Sequence, residues 1–318
     1  MGRERPGTAG QERQITDPGA GTSQIGEASA FAGTGTPVCV VCGAVEGVRV
    51  LDPEQGLFRC AECTHVFTLL AAAGQRSDGE GYEDEYYDAE HANWFAHPNV
   101  ALFRLAHSQI RERLGNGPLR VLDVGCGRGD FLQYLQRNDP KLELWGVDLN
   151  PRPLPGIDIV CGDVMGHVMD EELLRGFDAI TGLALIEHLE RPDLFVRRVM
   201  EGLRPGGLVI MMTVNNDGLF YRVARTLNGL GQSAAYRRLY SPHHLHHFTN
   251  QSLRRLMRSS GLEAVFQENH NYPLRAVDVP EGSPALRAAY TTVVWGLFST
   301  STLFRNGILQ TIVCRKSP

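Results

Sequence analysis

The chain has 318 residues, 42% of them hydrophobic, and carries a formal net charge of -5. This length and composition indicate a globular protein with one large domain or two unequal ones. The acidic balance excludes a general positive field that would attract DNA or RNA, so nucleic acid is not an expected partner.

The first segment, residues 1–37, is rich in Gly, Thr, Ala, Pro and Glu and nearly lacks large apolar side chains. Such a segment cannot bury enough surface to offset its ordering entropy, so we predict a disordered leader. It contains no basic stretch followed by an apolar run, which predicts a cytoplasmic protein without a secretory signal. The uncharged run 288–304 carries six Ser or Thr residues, which makes it too short and polar for a membrane span.

Two Cys-x-x-Cys pairs, Cys39 with Cys42 and Cys60 with Cys63, stand 17 residues apart in the chain. The intervening stretches "VRVL" and "LFRC" resemble short strands. Four thiolates in this pattern form a closed tetrahedral site, so residues 38–72 are predicted to be a zinc ribbon with one structural zinc. Between residues 37 and 70, two basic residues face four acidic ones, which favours a scaffold or substrate lid over nucleic-acid binding.

Residues 73–118 are expected to form a linker that bears the tyrosines of "GYEDEYYDAEHANWF" and ends in a helix over residues 99–114. From residue 119 onward, apolar strands alternate with amphipathic helices. The predicted strands are 120–124, 143–147, 157–160, 177–183 and 207–213, and the predicted helices are 130–137 and 193–203. This alternation predicts an α/β fold with a parallel, doubly wound sheet over residues 119–318.

The last third of the chain predicts a helix over residues 250–260, ended by Gly261, and strands at 262–267 and 309–314. Two interruptions, at residues 215–248 and 271–306, are longer than ordinary connections between elements. We expect them to act as lids or contact segments. The first carries tyrosines and arginines, which would suit a flat or acidic acceptor.

The stretch "LRVLDVGCGRGDFLQYLQ" predicts a strand, a glycine turn and a helix. Its glycines, Gly125, Gly127 and Gly129, form G-x-G-x-G rather than the G-x-G-x-x-G of dinucleotide sites. Asp123 stands two residues before the first glycine. A carboxylate at this place would repel a diphosphate and would suit an amino group.

Two further acids follow at strand ends. Asp148 closes "LWGVDLN", where a carboxylate can accept both ribose hydroxyls, a feature that fits NAD equally well. Asp163 follows the next strand and could accept the exocyclic amine of adenine. Together the three acids indicate a cationic adenosyl ligand.

The motifs "VLDVGCGRGDF", "GVDLNP", "GDV" and "FDAITGLALIEHLERPDLFVRRVMEGLRPGGLVIMMT" resemble, in this order, those of class I S-adenosylmethionine-dependent methyltransferases. The resemblance runs from about residue 99 to residue 267 and returns at the last strand. It implies a Rossmann-like seven-stranded methyltransferase sheet, with S-adenosylmethionine as the cofactor. The implied cofactor residues are Asp123, Gly125, Cys126, Gly127, Asp148, Leu149, Asp163, Val164 and Leu183.

Histidines supply the candidate catalytic residues. His188, in "IEHLERP", follows the fourth strand at the ligand-binding edge of the sheet, where it could act as a base or pack beside the cofactor. The segment "SPHHLHHFT" places four histidines in a predicted irregular loop. They could form a second metal site, a surface cluster, or a substrate-facing base at His247.

The sequence therefore predicts methyl transfer from S-adenosylmethionine to a small-molecule acceptor, such as a secondary metabolite, a sugar or a related natural-product scaffold. Deoxysugar C-methyltransferases carry a similar ribbon together with a large C-terminal domain that has no counterpart in this sequence, which weakens the sugar assignment. Two alternatives stay open, a non-catalytic S-adenosylmethionine-binding protein and an NAD-dependent oxidoreductase. Neither the acceptor nor the oligomeric state follows from the residues.

Overall fold

The structure is a computed structural model, and it describes residues 37–68, 93, 96–166, 175–279 and 282–318. Residues 1–36 of the predicted leader and the "EDEYY" tyrosines of the linker lie outside these residues. The strands are β1 Val48–Asp52, β2 Leu57–Cys60, β3 Val66–Thr68, β4 Leu119–Val124, β5 Leu142–Asp148, β6 Asp158–Cys161, β7 Phe177–Leu183, β8 Leu203–Val214, β9 His246–His247, β10 Leu262–His270 and β11 Leu309–Lys316. The helices are α1 Val100–Leu114, α2 Asp130–Asn138, α3 Pro192–Gly202, α4 Leu219–Gly229, α5 Ala234–Leu239, α6 Asn250–Ser259 and α7 Pro284–Leu303.

The larger sheet has seven strands in the order β10-β11-β8-β7-β4-β5-β6. Strand β11 runs antiparallel to both of its neighbours, and the pairs from β8 to β6 are parallel. Parallel neighbours need crossover connections, which α2 and α3 supply. The order reverses beside β4, so the carboxyl ends of β4, β5 and β7 border a crevice. The predicted α/β fold with a seven-stranded sheet is confirmed.

Local signals set several element ends. The Asn99 side chain accepts a hydrogen bond from the Leu102 amide at 3.2 Å and caps α1. Thr249 and Ser252 form a reciprocal capping box at the start of α6. Gly261 follows α6 with a φ of 83°, a conformation that an L residue rarely adopts. Strand β8 begins at Leu203, four residues before its predicted start, because Leu203 already pairs with Phe177.

The two long interruptions contain regular structure. Residues 215–248 form α4, α5 and the short strand β9, while residues 271–306 contain α7. The prediction of an irregular loop for "SPHHLHHFT" is therefore wrong at its end, where His246 and His247 pair with Phe67 and Val66 of β3. No helix in the described part of the chain is long and apolar enough to cross a membrane.

Pairing between β3 and β9 joins the cysteine-bearing segment to the domain that contains the seven-stranded sheet. The smaller sheet has the order β1-β2-β3-β9, so its fourth strand comes from the far side of the sequence. Cys39, Cys63 and Phe67 belong to the same buried cluster as Phe248 and Leu253. The two units therefore share one hydrophobic core rather than being connected only through the linker.

Candidate functional site

The glycine turn connects β4 to α2 and folds back onto β5. The Gly125 amide donates to the Val147 carbonyl at 2.8 Å, and the Cys126 amide approaches the same oxygen at 3.1 Å. Gly125 has a φ of 69°, and a Cβ there would lie 2.9 Å from a methyl group of Leu185. A side chain at this position would therefore be strained and would crowd the cavity wall.

Asp123 lies at the carboxyl end of β4 and is 3% exposed. Its Oδ1 accepts a hydrogen bond from the Thr181 hydroxyl at 2.5 Å. Burial, together with the negative charge of Asp148, raises the pKa of this carboxyl group to about 7, and the Thr181 hydroxyl opposes the rise. A cationic group beside Asp123 would stabilise the ionised form.

Asp148 closes β5 and braces the glycine turn. Its Oδ2 accepts from the Gly127 amide at 2.8 Å, and its Oδ1 accepts from the Asn150 amide at 3.2 Å. Asp163, which follows β6, is exposed and accepts from the Met165 amide at 2.8 Å. Each carboxylate keeps further lone pairs that a ligand can use.

One cavity of about 1070 Å³ opens at the carboxyl ends of β4, β5 and β7. Its lining includes all nine residues predicted for the cofactor, which are Asp123, Gly125, Cys126, Gly127, Asp148, Leu149, Asp163, Val164 and Leu183. Glu187, His188, His243 and His244 line it as well, together with Tyr272 and the side chains of Arg237 and Arg238. The cavity therefore combines the predicted adenosyl site with a polar and aromatic region.

The two predicted catalytic histidines occupy different environments. His188 lines the cavity, and its Nδ1 donates to the His243 carbonyl at 2.8 Å. His247 is fully buried outside the cavity lining, with its Nδ1 3.4 Å from the Tyr221 hydroxyl. Burial lowers the pKa of His247 to about 3, so its imidazole is neutral at pH 7. The structure brings His188 to the cofactor residues and does not bring His247 there.

The four ribbon cysteines converge. Sγ of Cys39 lies 3.5 Å from Sγ of Cys63, and Sγ of Cys42 lies 3.6 Å from Sγ of Cys60. Four sulfur atoms around one zinc, each at about 2.3 Å, would be separated by roughly 3.8 Å. Three of the four residues are fully buried. The donor set and its spacing fit a closed tetrahedral zinc site.

Sequence reasoning missed several side chains at the site. Thr181 on β7 holds Asp123, and Thr213 on β8 donates to Oε2 of Glu187 at 2.8 Å. Glu187 is 2% exposed, and burial raises the pKa of its carboxyl group to about 7. The sequence signal for Glu187 was its place beside His188 in "IEHL". The two threonines gave no signal, because a threonine inside a buried strand is common.

The curated proteins that match this chain include ubiquinone biosynthesis O-methyltransferases. The ubiquinone biosynthesis O-methyltransferases of Pseudomonas entomophila (strain L48) and Pseudomonas putida (strain W619) are each 28% identical to this chain over 124 residues. Each alignment covers 36% of this chain and 53% of the relative. The chain therefore spans about half the length of the curated relatives that it matches.

Among solved structures, a chain from the complex between the Haloferax volcanii Trm112 methyltransferase activator and a methyltransferase superposes with a TM-score of 0.51. That alignment has 14% identity and covers 74% of this chain and 98% of the other, so it supports the fold alone. A family model described as a methyltransferase domain matches residues 99–267, more than half of the 318 residues. The chain therefore belongs to the methyltransferase-domain family, within the class I S-adenosylmethionine-dependent fold.

Proposed function

We propose that this protein transfers a methyl group from S-adenosylmethionine to a hydroxyl group of a small-molecule acceptor. The observation that carries the proposal is the single cavity that joins the three strand-end acids to His188 and Glu187. Its volume of about 1070 Å³ is at the upper end of ligand pockets, which leaves room for an acceptor beside the cofactor. The names of the O-methyltransferase relatives support oxygen as the methylated atom.

The cofactor residues have separable roles in this proposal. The Asp148 carboxylate accepts the ribose hydroxyls, and Asp163 with Val164 contacts the adenine. Gly125 and Gly127 leave room for the methionyl part, whose amino group lies near Asp123. The cofactor supplies an electrophilic methyl group on a sulfonium, and the chain's task is to hold the acceptor in line with it.

The acceptor region favours a flat or acidic molecule. Tyr221 and Tyr272 line it, and Arg237 and Arg238 of α5 stand at its border. Aromatic rings can stack on a flat acceptor, while guanidinium groups pair with carboxylates through parallel hydrogen bonds. We propose that the segment 215–248 covers this region and excludes water from the reacting atoms.

His188 and His247 stay the candidate bases for the acceptor proton. Of the two, His188 lines the cavity, and its Nδ1 is occupied as a donor to the His243 carbonyl, so neutral His188 presents its lone pair on Nε2. His247 is separated from the acceptor region by its burial against Tyr221 and Tyr240. Substituting each histidine by Ala and measuring turnover compares their contributions to the reaction rate.

The ribbon has a structural role in the proposal, with one zinc held by its four cysteines. The β3 strand fastens β9, and the Thr68 amide donates to the Leu245 carbonyl at 2.9 Å. The ribbon therefore supports the wall of the cavity that carries His243 and His244. These contacts favour a scaffold over a mobile lid.

Two other functions compete with methyl transfer. An NAD-dependent oxidoreductase would place a diphosphate beside the buried Asp123 carboxyl group, which disfavours it. A non-catalytic binding protein needs no acceptor region, whereas this cavity continues past the cofactor residues to two histidines and a buried glutamate.

The proposal is tested by incubating the purified full chain with methyl-labelled S-adenosylmethionine and a panel of hydroxylated and phenolic small molecules. Mass spectrometry should show a labelled methyl ether and one S-adenosylhomocysteine for each product. Omitting the acceptor measures background turnover. If labelled product does not exceed that background with any acceptor class, while the chain binds S-adenosylhomocysteine, the non-catalytic alternative is favoured.

A further inference from the structure

Three metal-ligating side chains meet in the acceptor region. Glu187 and His188 follow β7, and His244 precedes β9. Each offers one ligand atom, and the three atoms lie within 4.8 Å of one another. All three residues line the cavity that contains the cofactor residues. Atoms that bind one cation at about 2.1 Å are roughly 3–4 Å from one another, so modest side-chain rotations would bring these three atoms to coordination distance.

The two histidine rings are held in defined orientations. Donation from Nδ1 of His188 to the His243 carbonyl at 2.8 Å fixes the tautomer that has its lone pair on Nε2. A metal-bound histidine commonly donates its second ring N–H to a carbonyl in this manner. The His188 and His244 rings meet edge to face, with centroids 4.8 Å apart.

Glu187 places a buried carboxylate in the cluster, and a bound cation would compensate its negative charge. Its side chain is 2% exposed, and one oxygen accepts from Thr213 at 2.8 Å. Among the residues that the structure describes, no lysine or arginine forms a salt bridge with this carboxylate. A buried carboxylate is costly unless a cation or hydrogen bonds compensate its charge.

Main-chain hydrogen bonds join the two segments that carry the three ligands. The Glu187 carbonyl accepts from the Leu245 amide at 2.8 Å and from the His246 amide at 3.0 Å. His246 in turn pairs with Phe67 of the ribbon. The relative positions of Glu187 and His244 are therefore set by main-chain contacts, which pre-organises the cluster.

From this cluster we propose that Glu187, His188 and His244 bind a divalent cation in the acceptor region. Two imidazole nitrogens and one carboxylate suit borderline first-row cations such as Zn²⁺ or Fe²⁺. Three protein ligands leave coordination positions open to the cavity. This site is separate from the four cysteines of the ribbon.

The cation specifies an acceptor class, an inference that rests on the proposed function. An open coordination position would take the acceptor hydroxyl, and a second one would favour an acceptor with a neighbouring oxygen that completes a chelate. A cation there would lower the pKa of a hydroxyl group bound to it, and the hydroxyl proton would pass to water that enters the cavity with the acceptor. His188 then acts as a metal ligand and need not accept that proton.

The test counts zinc in the full chain, with Zn²⁺ as the probe. The protein is dialysed against Zn²⁺, desalted and measured by inductively coupled plasma mass spectrometry. Wild type should hold about two zinc ions per chain, one bound by the four cysteines and one bound by Glu187, His188 and His244. Glu187→Gln and His244→Ala should each lose about one equivalent. His243→Ala is the matched control and should lose none, because it keeps the backbone carbonyl that orients His188.

Binding of S-adenosylhomocysteine is measured on the same samples to confirm that the variants are folded. The cation site is disproved if the wild-type zinc content does not exceed that of both Glu187→Gln and His244→Ala. If that outcome accompanies normal methyl transfer, the cation inference fails and the proposed function stands. If the zinc difference appears but no acceptor is methylated, the proposed function fails and the cation site stands.

Discussion

Replacing Asp148 by Ala should weaken binding of S-adenosylhomocysteine, because the proposed ribose contacts are lost. Its two oxygens already accept from the Gly127 and Asn150 amides at 2.8 and 3.2 Å, and each retains a lone pair for a ribose hydroxyl. Hydrogen bonds to a charged group contribute about 1.5–3 kcal/mol each. Because water compensates part of the loss, we expect a net penalty of roughly 2–4 kcal/mol.

This penalty corresponds to a rise in the dissociation constant of about 30- to 1,000-fold, at 1.4 kcal/mol for each factor of ten. Isothermal titration calorimetry with S-adenosylhomocysteine measures it directly. Asp148→Asn keeps one acceptor oxygen without the charge and should fall between wild type and Asp148→Ala. Glu143→Ala is the matched control, because this carboxylate lies on the same strand, pairs with Arg120 and does not line the cavity.

Asp148→Ala also removes the acceptor of the Gly127 amide, which should lower the free energy of unfolding by about 0.5–1.5 kcal/mol. Urea unfolding of each variant separates this effect from the loss of ligand contacts. A dissociation constant within about twofold of wild type for a folded Asp148→Ala protein would refute the assignment of Asp148 to the ribose, since about 0.4 kcal/mol is too small for two lost bonds.

Three further predictions follow from the site. Cys60→Ser should remove the ribbon zinc and lower the melting temperature, because the ribbon shares its core with the domain. Cys161→Ser, at an exposed position, should change neither the zinc content nor the melting temperature. A zinc content equal to wild type in Cys60→Ser would contradict the ribbon site. Turnover of His188→Ala at saturating cofactor should fall roughly 100- to 10,000-fold, and near-full rates in both His188→Ala and His247→Ala would leave neither histidine with a catalytic role. Because the pKa of Asp123 rises from 3.8 to about 7 in the folded, cofactor-free protein, folding favours the protonated carboxyl group, and the resulting contribution to the free energy of unfolding is complete below pH 3.8 and is lost as pH rises through about 7. Urea unfolding should show a smaller loss of this free energy over the same pH range for Asp123→Asn than for wild type. Equal pH slopes for the two proteins would contradict the burial argument.

The sheet, and the meeting of the predicted cofactor residues in one cavity, were predictable because their signals are local. Strand β4 carries Asp123 as its next-to-last residue, strand β5 ends in Asp148, and the glycines between β4 and α2 allow positive φ angles. Parallel strands place their carboxyl ends at one edge, so Asp123, Asp148 and Asp163 had to meet once the alternation was recognised. The four cysteines carry their own spacing signal.

The docking of the ribbon could not be predicted in this way. Strand β9 has two residues, too few for any period-2 pattern, and its partner Phe67 lies far away in the sequence. The histidine run was equally ambiguous, because spacing alone does not tell which ring faces the cavity. In the structure His244 lines the cavity, whereas His246 and His247 are buried. Nδ1 of His246 lies 3.0 Å from Nε2 of His65.

The central claim, that this cavity is an S-adenosylmethionine site, is tested most directly by titrating the full chain with S-adenosylhomocysteine and, separately, with NADH. We predict saturable binding of about one S-adenosylhomocysteine per chain, weakened in Asp148→Ala, and no saturable binding of NADH. Tight NADH binding with no response to S-adenosylhomocysteine would contradict the account.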